Sequence, residues 1–188
     1  MAAGAPSNLH VTLTDLFPNV DAYSLILARD NHVSGDVRPV DIERDVIAAR
    51  GVRTLFSSFH HFNPATAARV LNNLSRTGDP IFIAEGTHRS ALAIFFMLLA
   101  PLFVWLATPM LRPFKWSRLA LTYLVPVIPF VVCFDGIVSC LRTYTVDELR
   151  ALLRTLDDLR YEWTVAEAHG SAPMPVTYAI GVPKARRS

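Results

Sequence analysis

Short apolar runs that alternate with helix signals make up the chain on both sides of residues 90–134. Residues 10–15 alternate apolar and polar positions and predict a short strand that ends on an acid. Residues 37–41 and 54–61 predict two further strands. The apolar run at 80–84 predicts a central parallel strand that is buried on both faces. The last two predicted strands, 161–166 and 176–182, are joined by a Gly/Pro-rich loop and are expected to pair antiparallel.

Helix signals lie between these strands. Asn19 is the predicted N-cap of a helix that runs to about residue 29. Asn63 and Pro64 are a predicted N-cap and first helical position of a second helix, which stops at Gly78. Thr145 and Glu148 match a capping box ahead of leucines spaced on one helical face. Strands that alternate with helices predict an α/β fold with a mostly parallel sheet, as one domain over residues 1–188.

Ligands of such sheets bind at the carboxyl ends of the strands. Asp15, Asp41 and the stretch from Ser57 to His61 fall at these predicted ends. His60 and His61 are neighbours in a predicted strand, so one should be buried and the other should face the cleft. A histidine that titrates near neutral pH can act as a general base toward a hydroxyl or amine. Either histidine can instead be a core residue, and each aspartate a turn former.

The order of these elements resembles the class I S-adenosylmethionine-dependent methyltransferases, whose fold is Rossmann-like, over residues 9–85 and 143–183. It also resembles a bacterial subset of them with an apolar insert. The segments that carry the resemblance are Leu13-Thr14-Asp15-Leu16, Pro39-Val40-Asp41, Phe59-His60-His61-Phe62, the closing strand pair and Leu141-Arg142-Thr143-Tyr144-Thr145.

The resemblance implies S-adenosylmethionine as the cofactor. Asp15 would hydrogen-bond its ribose and Asp41 would contact its adenine amino group. Ser57 is a third candidate cofactor-binding residue, and His60 and His61 are the candidate catalytic residues. The family begins with a strand and a Gly-rich turn, and nothing before Leu9 supplies them. We therefore expect an N-terminally shortened chain that binds S-adenosylmethionine weakly or not at all.

The apolar insert, residues 90–134, is the most unusual part of the sequence. Residues 90–111 carry no charge and would form a helix of about 33 Å, enough to cross a bilayer core. Residues 119–134 would extend about 24 Å and contain Pro126 and Pro129.

The two apolar segments are joined by a basic and aromatic loop, residues 112–118. In a spanning hairpin the three basic residues of this loop would lie outside, against the positive-inside tendency. A hairpin that dips into one leaflet avoids this and places the loop and Trp116 among anionic headgroups. A spanning hairpin and a soluble substrate-covering lid are the alternatives. The expected location is the cytoplasmic side of a membrane.

The charge and the cysteine content of the chain disfavour some kinds of function. A net charge of +2 does not favour nucleic-acid binding, and no metal-ligand spacing is present. Cys133 and Cys140 are expected to be reduced structural thiols.

Asp135 interrupts an apolar stretch, and an unpaired buried acid would cost several kcal/mol. It is therefore expected either to pair with Arg142 or to contact the substrate.

The sequence thus predicts methyl transfer to a small, lipophilic or membrane-located acceptor. The alternative is a non-catalytic, membrane-associated relative of the methyltransferases that acts through a partner.

Overall fold

The computed structural model of the protein describes residues 9–47, 50–156, 160–171 and 173–184. The fold is mixed α/β, and the chain forms two compact units, Met1–Ala49 and Arg50–Ser188. The prediction of one domain over residues 1–188 remains a prediction. The first unit contains β1 (Val11–Leu13), α1 (Val20–Leu27) and β2 (Val33–Gly35). The second contains β3 (Arg53–Phe56), α2 (Pro64–Ser75), β4 (Ile81–Glu85), α3 (Ala91–Ala107), α4 (Trp116–Leu119), α5 (Val127–Arg142), α6 (Val146–Thr155), β5 (Tyr161–Ala168) and β6 (Val176–Pro183).

In the first unit, β1 pairs in parallel with β2, with Val11 opposite Val33. The predicted first strand and the Asn19 cap are confirmed, and Asn19 Oδ1 accepts from the N–H of Ala22 at 3.0 Å.

The predicted strand at 37–41 is wrong, because the strand that pairs with β1 lies at 33–35 and ends before it. Asp36 turns the chain there: its carboxylate accepts from both the N–H and the guanidinium of Arg38. Pro39 then lacks the N–H that a ladder needs.

The second unit is built on a four-stranded sheet of order β3-β4-β6-β5. β3 and β4 are parallel, whereas β6 runs antiparallel to both β4 and β5, so the predicted closing antiparallel pair is confirmed. β4 is central, as predicted. Ile81 and Ile83 are fully buried, but Phe82 and Ala84 on the other face are only half-buried. The expectation of burial on both faces is therefore wrong for one face.

The helices beside the sheet begin where the sequence predicts. Asn63 Oδ1 accepts from the N–H of Thr66 at 3.0 Å, and Pro64 is the first residue of α2. The capping box of Thr145 and Glu148 is complete. α6 buries Leu149 and its neighbouring leucines, and it packs against α2, β5 and β6.

The apolar insert forms a helical pair. α3 packs against α5, and the contact is so close at Gly136 that a Cβ there would lie 2.5 Å from Met97 Sδ. A 3₁₀ turn, Thr108–Met110, follows α3, and a π-helical stretch, Ala120–Leu124, follows α4. The segments Trp116–Leu124 and Val127–Arg142 are bent by 73° relative to each other, and Pro126 lies in the break.

Candidate functional site

The carboxyl ends of β3 and β4 lie side by side, and the chain turns tightly at Ser57, directly after β3. Ser57 has a φ of 45°, a left-handed conformation that is uncommon for a non-glycine residue. Its N–H donates to the carbonyl of Ala84 at 2.8 Å, and its Oγ accepts from the N–H of Gly86 at 3.2 Å. Strained backbone of this kind persists where its surroundings hold it, and it clusters at functional sites. Here it turns the chain from β3 toward the end of β4.

The residues after this turn do not continue the strand. The predicted strand at 54–61 is wrong beyond Phe56, because Phe59–His61 form a 3₁₀ turn. The carboxylate of Glu85 explains the difference. Its Oε1 accepts from the backbone N–H groups of Phe59 at 2.7 Å and His60 at 3.3 Å.

Of the two histidines of this turn, His60 is buried and His61 is exposed. The prediction that the buried one points away from the cleft is wrong, because His60 and not His61 lines the cavity beside the strand ends. The predicted reason, strand alternation, is wrong because neither residue lies in a strand. Their rings lie 4.3 Å apart between centroids.

His60 and Glu85 form a buried pair. His60 Nδ1 lies 2.6 Å from Glu85 Oε2, and the two residues are 4% and 2% exposed. An ionised carboxylate only accepts hydrogen bonds, so this contact assigns the proton of neutral His60 to Nδ1. Nε2 then carries a lone pair, and it is buried without a hydrogen-bond partner among the described residues. A buried unsatisfied group costs about 1–3 kcal/mol, so it requires an explanation.

His60 lines a cavity of about 740 Å³ beside the strand ends. This volume is typical of small-molecule sites. Most of the wall is apolar and comes from α2, α6 and the end of α5; among its side chains are Phe62, Pro64, Ala68, Leu141 and Leu152.

Two polar side chains of the cavity wall hold the histidine turn in place. The Arg142 guanidinium donates to the carbonyl of His61 at 2.9 Å, and the Tyr144 hydroxyl donates to the carbonyl of Phe62 at 2.8 Å. Burial raises the pKa of the Tyr144 phenol, and the charge of Glu148 raises it further while Arg142 opposes the rise. Tyr144 therefore remains a hydrogen-bond donor at neutral pH.

An ion pair between Arg89 and Glu148 contributes to the same wall. The hydrogen bond from Arg89 is the largest cause that lowers the pKa of Glu148 to about 2, followed by the backbone N–H of Thr145. Glu148 raises the pKa of Arg89 in turn. Both groups are charged at neutral pH, and they contribute no net charge to the cavity.

The two aspartates predicted to bind the cofactor lie in the first unit. Asp15 is exposed, and its Oδ1 accepts from the N–H of Phe17 at 2.8 Å. Asp41 accepts from the N–H of Glu43 at 2.9 Å and lies 3.6 Å from the guanidinium of Arg44. Both carboxylates thus form turns, the alternative that the sequence left open. The N–H of Val40 donates to the carbonyl of Asp15, which brings the two segments together.

Asp135 lies on α5 and is exposed. Its predicted pairing with Arg142 is wrong, since Arg142 binds the His61 carbonyl and lies about 10 Å farther along the helix axis. The burial cost that motivated the pairing does not arise for an exposed acid. The substrate-binding role of Asp135 remains a prediction.

Sequence reasoning missed three members of the site: Glu85, Arg142 as a ligand of the His61 carbonyl, and Tyr144. Glu85 had a usable signal. An acid at the end of the most apolar strand must be paired if it is buried, and the adjacent parallel strand is followed by two histidines. Arg142 and Tyr144 had no such signal, because both act on backbone carbonyls more than 80 residues away.

Among the described residues, no three His, Cys, Asp or Glu side chains converge on a point that could hold a metal ion. No protein-family model and no curated protein matches the chain. One similar solved structure is a protein from Rhodobacter sphaeroides that is provisionally assigned to the Zn-dependent alcohol dehydrogenases. It superposes with a TM-score of 0.55 and 13% identity over 94% of this chain and 76% of that chain. At this identity the likeness shows the fold alone, and it is consistent with a Rossmann-like sheet.

Proposed function

We propose that the protein transfers a methyl group from S-adenosylmethionine to a small, lipophilic or membrane-located acceptor. The observation that carries the proposal is the His60–Glu85 pair. It lies at the carboxyl ends of parallel strands, its imidazole Nε2 is buried without a partner among the described residues, and His60 belongs to the wall of a largely apolar cavity. The order of the sequence motifs and the closing antiparallel strands also support it.

His60 is the general base in this proposal. S-adenosylmethionine supplies an electrophilic methyl group on a sulfonium. His60 Nε2 accepts the proton of the acceptor's O–H or N–H group while that oxygen or nitrogen attacks the methyl carbon and the C–S bond breaks. The products are the methylated acceptor and S-adenosylhomocysteine. Glu85 fixes the orientation of the ring and stabilises the imidazolium that forms.

The remaining candidate residues are assigned by the resemblance. Asp15 would accept hydrogen bonds from the cofactor ribose, and it is exposed, as this contact requires. Asp41 would accept from the adenine amino group. Ser57 would contact the cofactor at the end of β3, and Asp135 the acceptor.

The lipophilic acceptor is proposed because the apolar insert would bring the site to a membrane. Ala91–Met110 is long and apolar enough to cross a bilayer, and little of it is buried inside the protein. The bent pair that follows has the form of a broken span or a re-entrant loop. We propose that the insert dips into the cytoplasmic leaflet without passing its basic loop across.

Photo-crosslinking tests the cofactor assignment because it captures weak complexes as well as tight ones, and the sequence predicts weak binding or none. Radiolabelled S-adenosylmethionine should label the protein on irradiation, and excess S-adenosylhomocysteine should compete while NAD should not. Asp15→Ala should raise the half-saturating concentration at least about tenfold, because one charge-assisted hydrogen bond is lost. Absence of competable labelling would reject the cofactor and favour the non-catalytic alternative.

His60 and His61 provide a test variant and a matched control for the proposed proton transfer. With the methyl-labelled cofactor and a bacterial lipid extract as acceptor source, His60→Ala should slow label transfer by about 10²–10⁴-fold. His61→Ala removes an exposed ring next to it and should change the rate little. Equal effects of the two substitutions would argue against His60 as the base.

A further inference from the structure

We propose that a groove between α3 and α5 binds one acyl chain of an anionic membrane phospholipid, with the lipid phosphate at Arg118. The groove has a volume of about 700 Å³ and is separate from the cavity at His60. The site does not depend on methyl transfer. It rests on the proposed membrane association only for the source of the lipid.

The groove wall is apolar along almost its full length. Its α3 positions run from Phe96 to Ala107, about 17 Å along the helix axis, and Leu111 extends the wall beyond the 3₁₀ turn. Ile128 and Val132 of α5 also line the groove. Thr108 also lines the groove, but its hydroxyl donates to the carbonyl of Val104 at 2.7 Å. The walls therefore offer an occupant dispersion contacts and almost no hydrogen bonds, which suits a hydrocarbon chain.

Arg118 is the charged side chain of the groove. Its guanidinium donates once to the carbonyl of Leu111, at 3.1 Å, and within the described residues it has no acidic partner. No acid occurs in the sequence between Glu85 and Asp135, so nothing nearby along the chain neutralises this cation. A wall that is apolar with a cation at one end complements an amphiphile with an anionic head and a hydrocarbon tail.

The surface around the groove indicates that the amphiphile comes from a bilayer. Leu98, Leu102 and Leu106 of α3 do not line the groove and are all more than half exposed. Trp116, 78% exposed, lies beside Arg118 in sequence, and indole rings favour the headgroup level of a membrane. A chain in the groove would thus continue the lipid contact that the outer face of α3 offers.

Quenching of tryptophan fluorescence by brominated lipids tests this site in the detergent-solubilised full chain. Trp105 belongs to the same helical pair, where its Nε1 donates to the carbonyl of Thr122. Brominated phosphatidylglycerol should quench saturably at a mole fraction about fivefold lower than brominated phosphatidylcholine, a difference that corresponds to one basic contact.

Arg118→Gln should abolish this preference for phosphatidylglycerol. Arg112→Gln removes the same charge from the same loop without touching the groove, so it is the matched control and should keep the preference. Equal losses in the two variants would mean a diffuse surface attraction and would overturn the site.

A second pair of variants tests the apolar wall. Ala100→Phe places a ring in the groove and should remove the saturable component, whereas Leu98→Phe on the outer face should retain it. Unchanged quenching in Ala100→Phe would overturn the proposal. Displacement of the brominated lipid by oleate but not by unlabelled phosphatidylglycerol would overturn its assignment to a membrane phospholipid.

Discussion

At the carboxyl ends of β3 and β4 polar side chains are buried and paired, whereas along the apolar insert large apolar side chains are exposed. Glu85 and His60 lie inside the second unit, where the Glu85 carboxylate accepts from His60 Nδ1 and from the backbone N–H of Phe59. More than half of the exposed large apolar side chains of the described residues belong to residues 90–134. The same chain therefore buries charge in one region and exposes hydrocarbon in the other.

Several polar groups of the insert are hydrogen-bonded to its own backbone. Thr122 is fully buried and donates to the carbonyl of Arg118 at 2.8 Å. The Tyr123 hydroxyl donates to the carbonyl of Trp105. At the break in the helix, the N–H of Val125 donates to the carbonyl of Ala120. These polar groups find their partners within the insert, which the membrane contact proposed above would require of them.

The largest expected effect comes from removing the apolar insert, whose large apolar side chains are exposed. Replacement of residues 90–134 by a short Gly/Ser linker should move the protein from the membrane fraction to the soluble fraction. Soluble monomers rarely expose apolar patches above a few hundred Å², and the insert provides most of this surface. Fractionation with quantitative immunoblotting measures the change. A full-length chain that remains soluble and monomeric without detergent would favour the lid instead.

Cysteine labelling is the topological control for that deletion. Ser117→Cys, in a background that lacks Cys133 and Cys140, should resist an impermeant reagent applied to the outer face of intact cells and react after lysis. Labelling from outside would reject the dip and support a spanning hairpin.

The buried pair provides the next largest effect. Glu85→Ala leaves the N–H groups of Phe59 and His60 and the imidazole of His60 without their acceptor. Loss of one partner of a buried pair costs about 3–5 kcal/mol. Urea denaturation should show this loss, and Glu162→Ala on the exposed face of β5 should stay within about 0.5 kcal/mol of the parent. A loss below about 1 kcal/mol would mean that water replaces the carboxylate.

The regular elements of both units follow from local sequence signals. Asn19, Asn63 and Thr145 start their helices because each side chain accepts a nearby backbone N–H, a contact that depends only on the adjacent residues. The central position of β4 follows from its continuous apolar run.

The errors arise where distant or competing polar groups decide the backbone. Asp36 binds Arg38 and ends the pairing before the predicted strand at 37–41. Glu85 binds the N–H groups of residues 59 and 60 and converts a predicted strand end into a turn. The relevant partner lies 25 residues away in the second case, so periodicity gives no sign of it.

The smallest expected effect concerns the ion pair of Glu148 with Arg89 in the cavity wall. This pair is half exposed, so solvent weakens it, in contrast to the buried pair of His60 with Glu85. The pKa of Glu148 in the folded protein is lowered to about 2 from the ordinary 4.5. The folded state therefore binds this proton less readily than the unfolded chain, and stability gained from the charge is complete above pH 4.5. It declines as the pH falls toward 2.

Glu148→Gln retains a capping-box side chain and removes only the charge. Because solvent screens the pair, the parent should exceed the variant by less than about 1 kcal/mol at pH 6, and by less still at pH 3 or in 1 M salt. A difference that grows on acidification would show that Glu148 does not carry its charge in the folded state.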